Sequence, residues 1–150
     1  MTGARGYALS RATDDVAETI RWLEAEGFAC VRERGGAGES FGDVSIEFER
    51  TGIRVGIGRD RSQWMLAIAS PSGQLLGLDI WLTAMRGARA TREPRRSLSE
   101  RLPEQLPEGE SWRTVIPELL DWIRSGDRST ELAAAIHDRS RPTRDSSGFA

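Results

Sequence analysis

The clearest alternation of apolar and polar positions runs from Val44 to Ala69, as VSIEFER, TG, IRVGIGRD and then RSQWMLAIA. Alternation at period two over runs of this length predicts half-buried β-strands. Thr51-Gly52 reads as a two-residue hairpin turn, because Gly accepts the positive φ that such a turn demands. Counting outward from it places Arg50 opposite Ile53, Glu49 opposite Arg54, Phe48 opposite Val55 and Ile46 opposite Ile57. A second turn at 60–63 sets Ile57 against Leu66 and Val55 against Ile68. Val44, Ile46, Phe48, Val55, Ile57, Leu66 and Ile68, joined by Trp64, then share one apolar face. Slipping the register by one residue would mix that set with the charged one, so the pairing is well specified.

The opposite face carries Glu47, Glu49, Arg54, Gly56, Gly58, Met65, Ala67 and Ala69, half of them Gly or Ala. Small residues inside strands mark the close approach of a backbone or a ligand. A helix of the same chain lying over this face is the expectation. That would move the binding surface to the Arg59-Asp60-Arg61 hairpin tip.

Helical periodicity flanks the strands. Thr13 is a good N-cap before Asp14 and Asp15, and Val16, Ile20 and Leu23 recur at helical spacing up to Gly27, which predicts a helix over 14–26. Residues 28–34 read as a first strand, with Phe28, Cys30 and, less firmly placed, Arg32 on one side. The glycine-rich stretch 35–43 reads as a loop. Beyond the turn at 70–74, LLGLDIWLTAMRG fits a strand through Leu76 and Leu78 or a helix face through Leu78, Trp81, Leu82 and Met85. A short extended piece to Leu78, then a helix from Asp79 as N-cap to Arg86 closed by Gly87, is favoured. Ser111 caps a segment whose Trp112, Val115 and Ile116, then Leu119, Leu120 and Ile123, match helical spacing. Pro117 is uncomfortable in a helix interior, however, and argues for a helix starting there and running to Ser125. A last helix covers 129–138, with Leu132, Ala135 and Ile136 inward.

The predicted fold is therefore α+β: an antiparallel four-stranded sheet (28–34, 44–50, 53–59, 63–69), an N-terminal helix and three or four C-terminal helices. Residues 1–12 form a flexible N-terminus, 13–139 a single domain containing an Arg/Pro-rich segment at 87–110, and 140–150 a disordered tail. At 150 residues the chain can bury a real core.

Charge and composition narrow the function. The chain is 29% charged with a mean hydropathy of −0.46, and no apolar run is long enough to span a membrane. Its N-terminus lacks the apolar segment of a secretory signal, and the single Cys30 suits a reducing, cytoplasmic setting. All 21 basic residues are Arg, the bias of a GC-rich coding sequence. With a net charge of −2, the molecule as a whole exerts no pull toward nucleic acid. Between Arg86 and Arg101 six arginines face two carboxylates, and from Leu102 to Trp122 the balance reverses. The two blocks read as self-paired or solvated, with phosphate contact as the competing use.

No motif carries a reaction. His137 is the only histidine and sits near a helix C-terminus, where a positive charge is favourable. Cys30 and His137 have no metal-ligand spacing. The glycines of 35–42 lead into a strand and lack the GK[ST] ending of a phosphate loop. Glu47 and Glu49 share a strand face, as paired acid–base carboxylates would, but Arg54 opposite Glu49 explains one of them as a cross-strand ion pair. No cofactor is implied. Arg59, Asp60 and Arg61, followed by Trp64, are residue types enriched at binding hot spots.

The strand-rich middle, together with Gly77-Leu78-Asp79-Ile80-Trp81-Leu82, resembles small bacterial proteins, some of them grouped with immunity proteins of polymorphic toxin systems. The resemblance spans about 27–87 and implies a cytoplasmic protein that binds and blocks a toxin without performing chemistry. The expected function is thus a non-catalytic protein-binding module, with Arg59, Asp60, Arg61, Glu47, Glu49 and Arg54 as partner-binding residues. Two alternatives stay open: a ligand pocket on the Gly/Ala face, and nucleic-acid binding through Arg86–Arg101.

Overall fold

The computed structural model describes residues 6, 8–9, 12–35, 43–60, 63–87, 106 and 109–140. In chain order its elements are α1 (Asp14–Ala25), β1 (Ala29–Gly35), β2 (Val44–Arg50), β3 (Ile53–Asp60), β4 (Gln63–Ala69), β5 (Leu75–Gly77), α2 (Leu78–Arg86), α3 (Trp112–Arg124) and α4 (Ser129–Ser140). The strands form one antiparallel sheet in the order β1-β2-β3-β4-β5.

The meander has the register that alternation demands. Phe48 lies opposite Val55, Ile46 opposite Ile57 and Glu49 opposite Arg54. Ile57 lies opposite Leu66 and Val55 opposite Ile68. Thr51 and Gly52 both adopt positive φ, 47° and 85°, the combination of a type I′ hairpin turn whose twist matches the strands.

Helix α1 begins with the Thr13 hydroxyl accepting the Val16 N–H at 3.4 Å. It ends in a paired motif: Phe28 N–H donates to the Leu23 carbonyl and Gly27 N–H to that of Glu24, with Gly27 at φ 96°. Leu23 and Phe28, both buried, make the apolar contact that accompanies this cap.

Three local expectations are corrected. The sheet has five strands, because Leu75–Gly77 pairs with β4 (Ile68 opposite Leu76) before the chain turns into α2. Helix α2 starts at Leu78, so Asp79 is inside its first turn, where its carboxylate accepts the Ile80 N–H at 2.9 Å. Helix α3 starts at Trp112, five residues before Pro117. A proline there removes one N–H and crowds the Arg113 carbonyl. The helix persists because its first turn is held twice over. Ser111 and Thr114 form a reciprocal capping box, and both Asp15 carboxylate oxygens accept backbone N–H groups, from Trp112 at 2.9 Å and Arg113 at 3.0 Å. One stripe of α3 (Trp112, Val115, Ile116, Leu119, Leu120) is then buried across the proline.

A single core joins the apolar sheet face to the helices. Ile20, Leu23, Trp81, Leu82, Ile116 and Leu119 pack in the same cluster as Ile46, Phe48, Val55, Ile57, Leu66 and Ile68. The buried Trp81 also donates its indole N–H to the Ile68 carbonyl at 2.9 Å, fastening α2 to β4. Leu132 and Ala135 of α4 point inward as expected, whereas Ile136 is exposed. Within the segment read as a flexible N-terminus, Gly6, Ala8 and Leu9 are helical and Ala8 is fully buried in the core. Most of the Arg/Pro-rich segment and residues 141–150 lie outside the described residues, although Leu106 packs against the core.

Candidate functional site

Because the described helices bury their apolar faces with the inward side of the sheet, its other side carries none of them. The expectation of a helix lying over the Gly/Ala face is not met among the described residues. What lies there comes from the strands themselves, arranged in rows by the register. The central row runs Arg32, Glu47, Gly56, Ala67, Gly77 from β1 to β5. On one side of it lie Ala29, Glu49 and Arg54 and the pair Ala69–Leu75, and on the other Arg34, Ser45, Gly58 and Met65.

Arg32 joins this face through a β-bulge. The register shifts between Cys30 and Arg32, so Cys30 pairs with Phe48 on the core side while Arg32 pairs with Glu47 on the outer side. Val31, the extra residue, is exposed. A bulge turns a strand's facing by one residue, which corrects the expectation that Arg32 shares a side with Cys30.

Glu47 is the hub of the outer face. Its side chain is only 12% exposed and its two oxygens lie 3.9 Å from an Arg32 nitrogen and 3.8 Å from an Arg54 nitrogen. Arg54 also donates to Glu49 at 3.4 Å. Side chains close over Gly56, opposite Glu47: a Cβ there would make ordinary contacts, 3.8 Å from Glu47 Cγ and 3.4 Å from Leu75 Cδ1. Leu75 therefore reaches across β4 and fills the space above Gly56 with the protein's own side chain. Of the predicted site residues, Glu47, Glu49 and Arg54 are brought together. Arg32 and Leu75 belong to the same surface, and sequence reasoning missed them. No composition signal marks the bulge that turns Arg32 over, and Leu75 opens a segment whose pattern fits a strand and a helix alike.

The hairpin tip is a different place. Arg59 pairs with Val44 and with Trp64, which puts it on the rim of the core side, whereas Asp60 is at the exposed end of β3. Arg61 lies outside the described residues. With a rise of roughly 3.3 Å per residue, Asp60 is about 20 Å along β3 from Arg54, so the described ones among the predicted residues fall in two separate groups.

Two hollows flank these groups. One, of about 380 Å³, lies among Arg34, Asp43, Ser45, Gly58, Asp60 and Met65. The other, of about 180 Å³, lies at the opposite end of the sheet and is lined by Ile53, Ile68, Trp81, Ile123, Arg128 and Leu132. Its cation is already committed: Arg128 donates to the Trp122 carbonyl at 2.9 Å, pairs with Glu131 at 3.4 Å and stacks 4.3 Å from the Trp122 ring centre.

Arg86 opens the basic block. It forms a two-pronged pair with Glu110, at 2.7 and 2.9 Å, and lies 3.9 Å from Glu118. The hydrogen bond to Glu110 raises its pKa above the usual arginine value, against a smaller opposing effect of burial. At this position the basic and acidic blocks do pair with each other. The remaining arginines of the block lie outside the described residues. His137 is exposed on α4. Among the described residues no group of three or more His, Cys, Asp or Glu side chains is placed to hold a metal ion. No described helix is long and apolar enough to cross a membrane. No protein-family model, curated protein or solved structure matches this chain.

Proposed function

We propose that the protein is a non-catalytic, cytoplasmic protein-binding module that acts as immunity proteins do, by occupying a partner such as a toxin. The observation that carries this reading is the state of the outer-face carboxylates. Glu47 is held between Arg32 and Arg54, and Glu49 is engaged by Arg54. A general base needs a carboxylate able to reach a substrate proton. These two are instead knitted into a cross-strand ion lattice, the arrangement of a recognition surface. The ligand-pocket alternative is confined to the hollow among Arg34, Ser45, Gly58 and Met65, because Leu75 and Glu47 already surround the position above Gly56. The nucleic-acid alternative is weakened where it can be seen, since Arg86 is bound by Glu110 and Glu118.

Affinity capture with the full chain from its native strain tests the proposal. One partner in stoichiometric amount, encoded next to this gene and toxic when expressed without it, is the expected result. Recovery of no stable partner, with the gene standing alone, would defeat it.

A further inference from the structure

The outer sheet face is divided into two chemically different halves. Over β1–β3 the arginines stand higher than the carboxylate between them: Arg32 is 58% exposed and Arg54 43%, Glu47 is sunk to 12%, and Arg34 is exposed with Asp43 and Asp60 beside it. Toward β5 the face is apolar, with Met65, Ala67, Ala69 and Leu75, the last 39% exposed for a large hydrophobic side chain. Glu49, also part-exposed, is tied to Arg54. Burying Glu47 while lifting two guanidinium groups around it gives a positive rim beside an apolar strip, on a molecule whose net charge is −2.

From these observations we infer that the outer face is a docking surface for one helix of a protein partner, with an apolar stripe bordered by Asp and Glu. This rests on the binding-module reading above and names the partner's chemistry. Size selects a single helix: four strand spacings of about 4.8 Å give a width of about 19 Å, and the three rows extend about 13 Å along the strands. A helix about 10 Å across covers that area, whereas a second sheet would overhang it. Charge selects carboxylates, because Arg32 and Arg54 carry more N–H donors than their contacts with Glu47 and Glu49 occupy, and Arg34 is exposed beside them. The apolar half selects protein over nucleic acid, since a phosphate backbone has nothing to set against Leu75 and Met65. Glu47 acts as a positioning residue that holds two of the arginines apart and upright.

The test uses the full chain, isotopically labelled, with three probes: a synthetic helical peptide with a Leu/Ala stripe flanked by Glu, the same peptide flanked by Lys, and a single-stranded oligonucleotide. The Glu-flanked peptide is expected to shift the amides of Arg32, Gly56, Ala67 and Gly77 and to bind at least about tenfold more tightly than its Lys twin. Arg32→Gln with Arg54→Gln should weaken it by a similar factor of about ten, in proteins whose melting curves confirm the fold. Ala67→Gln, which crowds the middle row without touching the core, should weaken it as well. Equal binding of both peptides, binding of neither, shifts confined to the helices, or preference for the oligonucleotide each overturns the inference. Failure of the broader reading is seen separately. If the captured native partner binds wild type and the double Gln variant equally, the protein is a binding module that uses another surface, and the inference alone falls.

Discussion

At the scale of single residues, the structure holds two positions where backbone geometry and side chain disagree. Thr51 is a β-branched residue at φ 47°, a region that such residues avoid. Its neighbour Gly52, at φ 85°, fits the same turn without strain. Asn is the residue that type I′ turns favour before Gly, so Thr51→Asn is expected to raise stability by about 0.5–1 kcal/mol. Urea unfolding measures this directly, and an unchanged or lower midpoint contradicts the turn assignment. Gly77 has the opposite character: its φ is ordinary, but a Cβ there would lie 2.9 Å from the Asp79 carboxylate. Gly77→Ala should therefore cost about 1 kcal/mol by pushing the Asp79 carboxylate off the Ile80 N–H. The second mutation Asp79→Ala should recover part of that loss in a double-mutant cycle, and additivity would argue against the contact. The positive φ at Gly27 and Gly52 could be anticipated from the sequence. The crowding at Gly77 could not, because it depends on where the next helix begins.

At the scale of elements, the helix ends separate local from tertiary causes. Thr13 and Gly27 bound α1 from within its own sequence. The start of α3 has its own Ser111–Thr114 capping box and a second hold from Asp15, which lies 97 residues earlier yet accepts two N–H groups of its first turn. Asp15→Ala is expected to cost about 1–2 kcal/mol, and Asp15→Asn less, because the amide keeps one acceptor. Hydrogen exchange at Trp112 and Arg113 should rise more than at α1, and equal rises at both would refute the cap. At the start of α4, the Asp127 carboxylate accepts the Ser129 hydroxyl at 2.7 Å and its N–H at 2.9 Å, and these bonds lower its pKa. A depressed carboxyl pKa means the stabilisation is complete above the ordinary aspartate value. It is lost as pH falls through the lowered one. The Ser129 amide, followed by NMR against pH, should therefore titrate below about 3.9. A midpoint at or above that value would remove the bond.

At the scale of the whole molecule, a single core makes the sheet and helices one cooperative unit. Phe48, fully buried, lies in the cluster that also holds Ile20, Leu82 and Ile116 from three helices. Phe48→Ala should cost about 3–5 kcal/mol. The loss should be equal by tryptophan fluorescence and by far-ultraviolet circular dichroism, and separated transitions would mean that the helices fold apart from the sheet. The distribution of elements about this core also decides the candidate site. Because the helices gather on one side of the sheet, Arg32, Glu47, Glu49 and Arg54 stand on the other without a described helix above them. The hairpin tip favoured by residue type turns Arg59 toward the core rim instead. Part of the site was legible: Glu47, Glu49 and Arg54 share a face in any register that keeps the apolar residues together. Arg32 was not, because a bulge at Val31 inverts its side, and nothing in the sequence around Cys30 and Val31 marks the extra residue.

By itself, the sequence determined everything whose cause lies within a few residues or within one alternating pattern. That covers the pairing from Val44 to Ile68, the Thr51-Gly52 turn, the ends of α1 and the identity of the apolar sheet face. Period-two alternation admits one register when one face must be dry, and capping chemistry acts over a single turn. Tertiary structure decided what depends on distant partners. It set the fifth strand, which exists only as a neighbour of β4, and the Asp15 contacts that reinforce the local Ser111–Thr114 cap of α3 across Pro117. It also set the side of the sheet on which the helices collect. A sheet face made of Gly, Ala and paired charges is compatible with being covered or left open. Only the packing of the four described helices into the core cluster settles which side they cover.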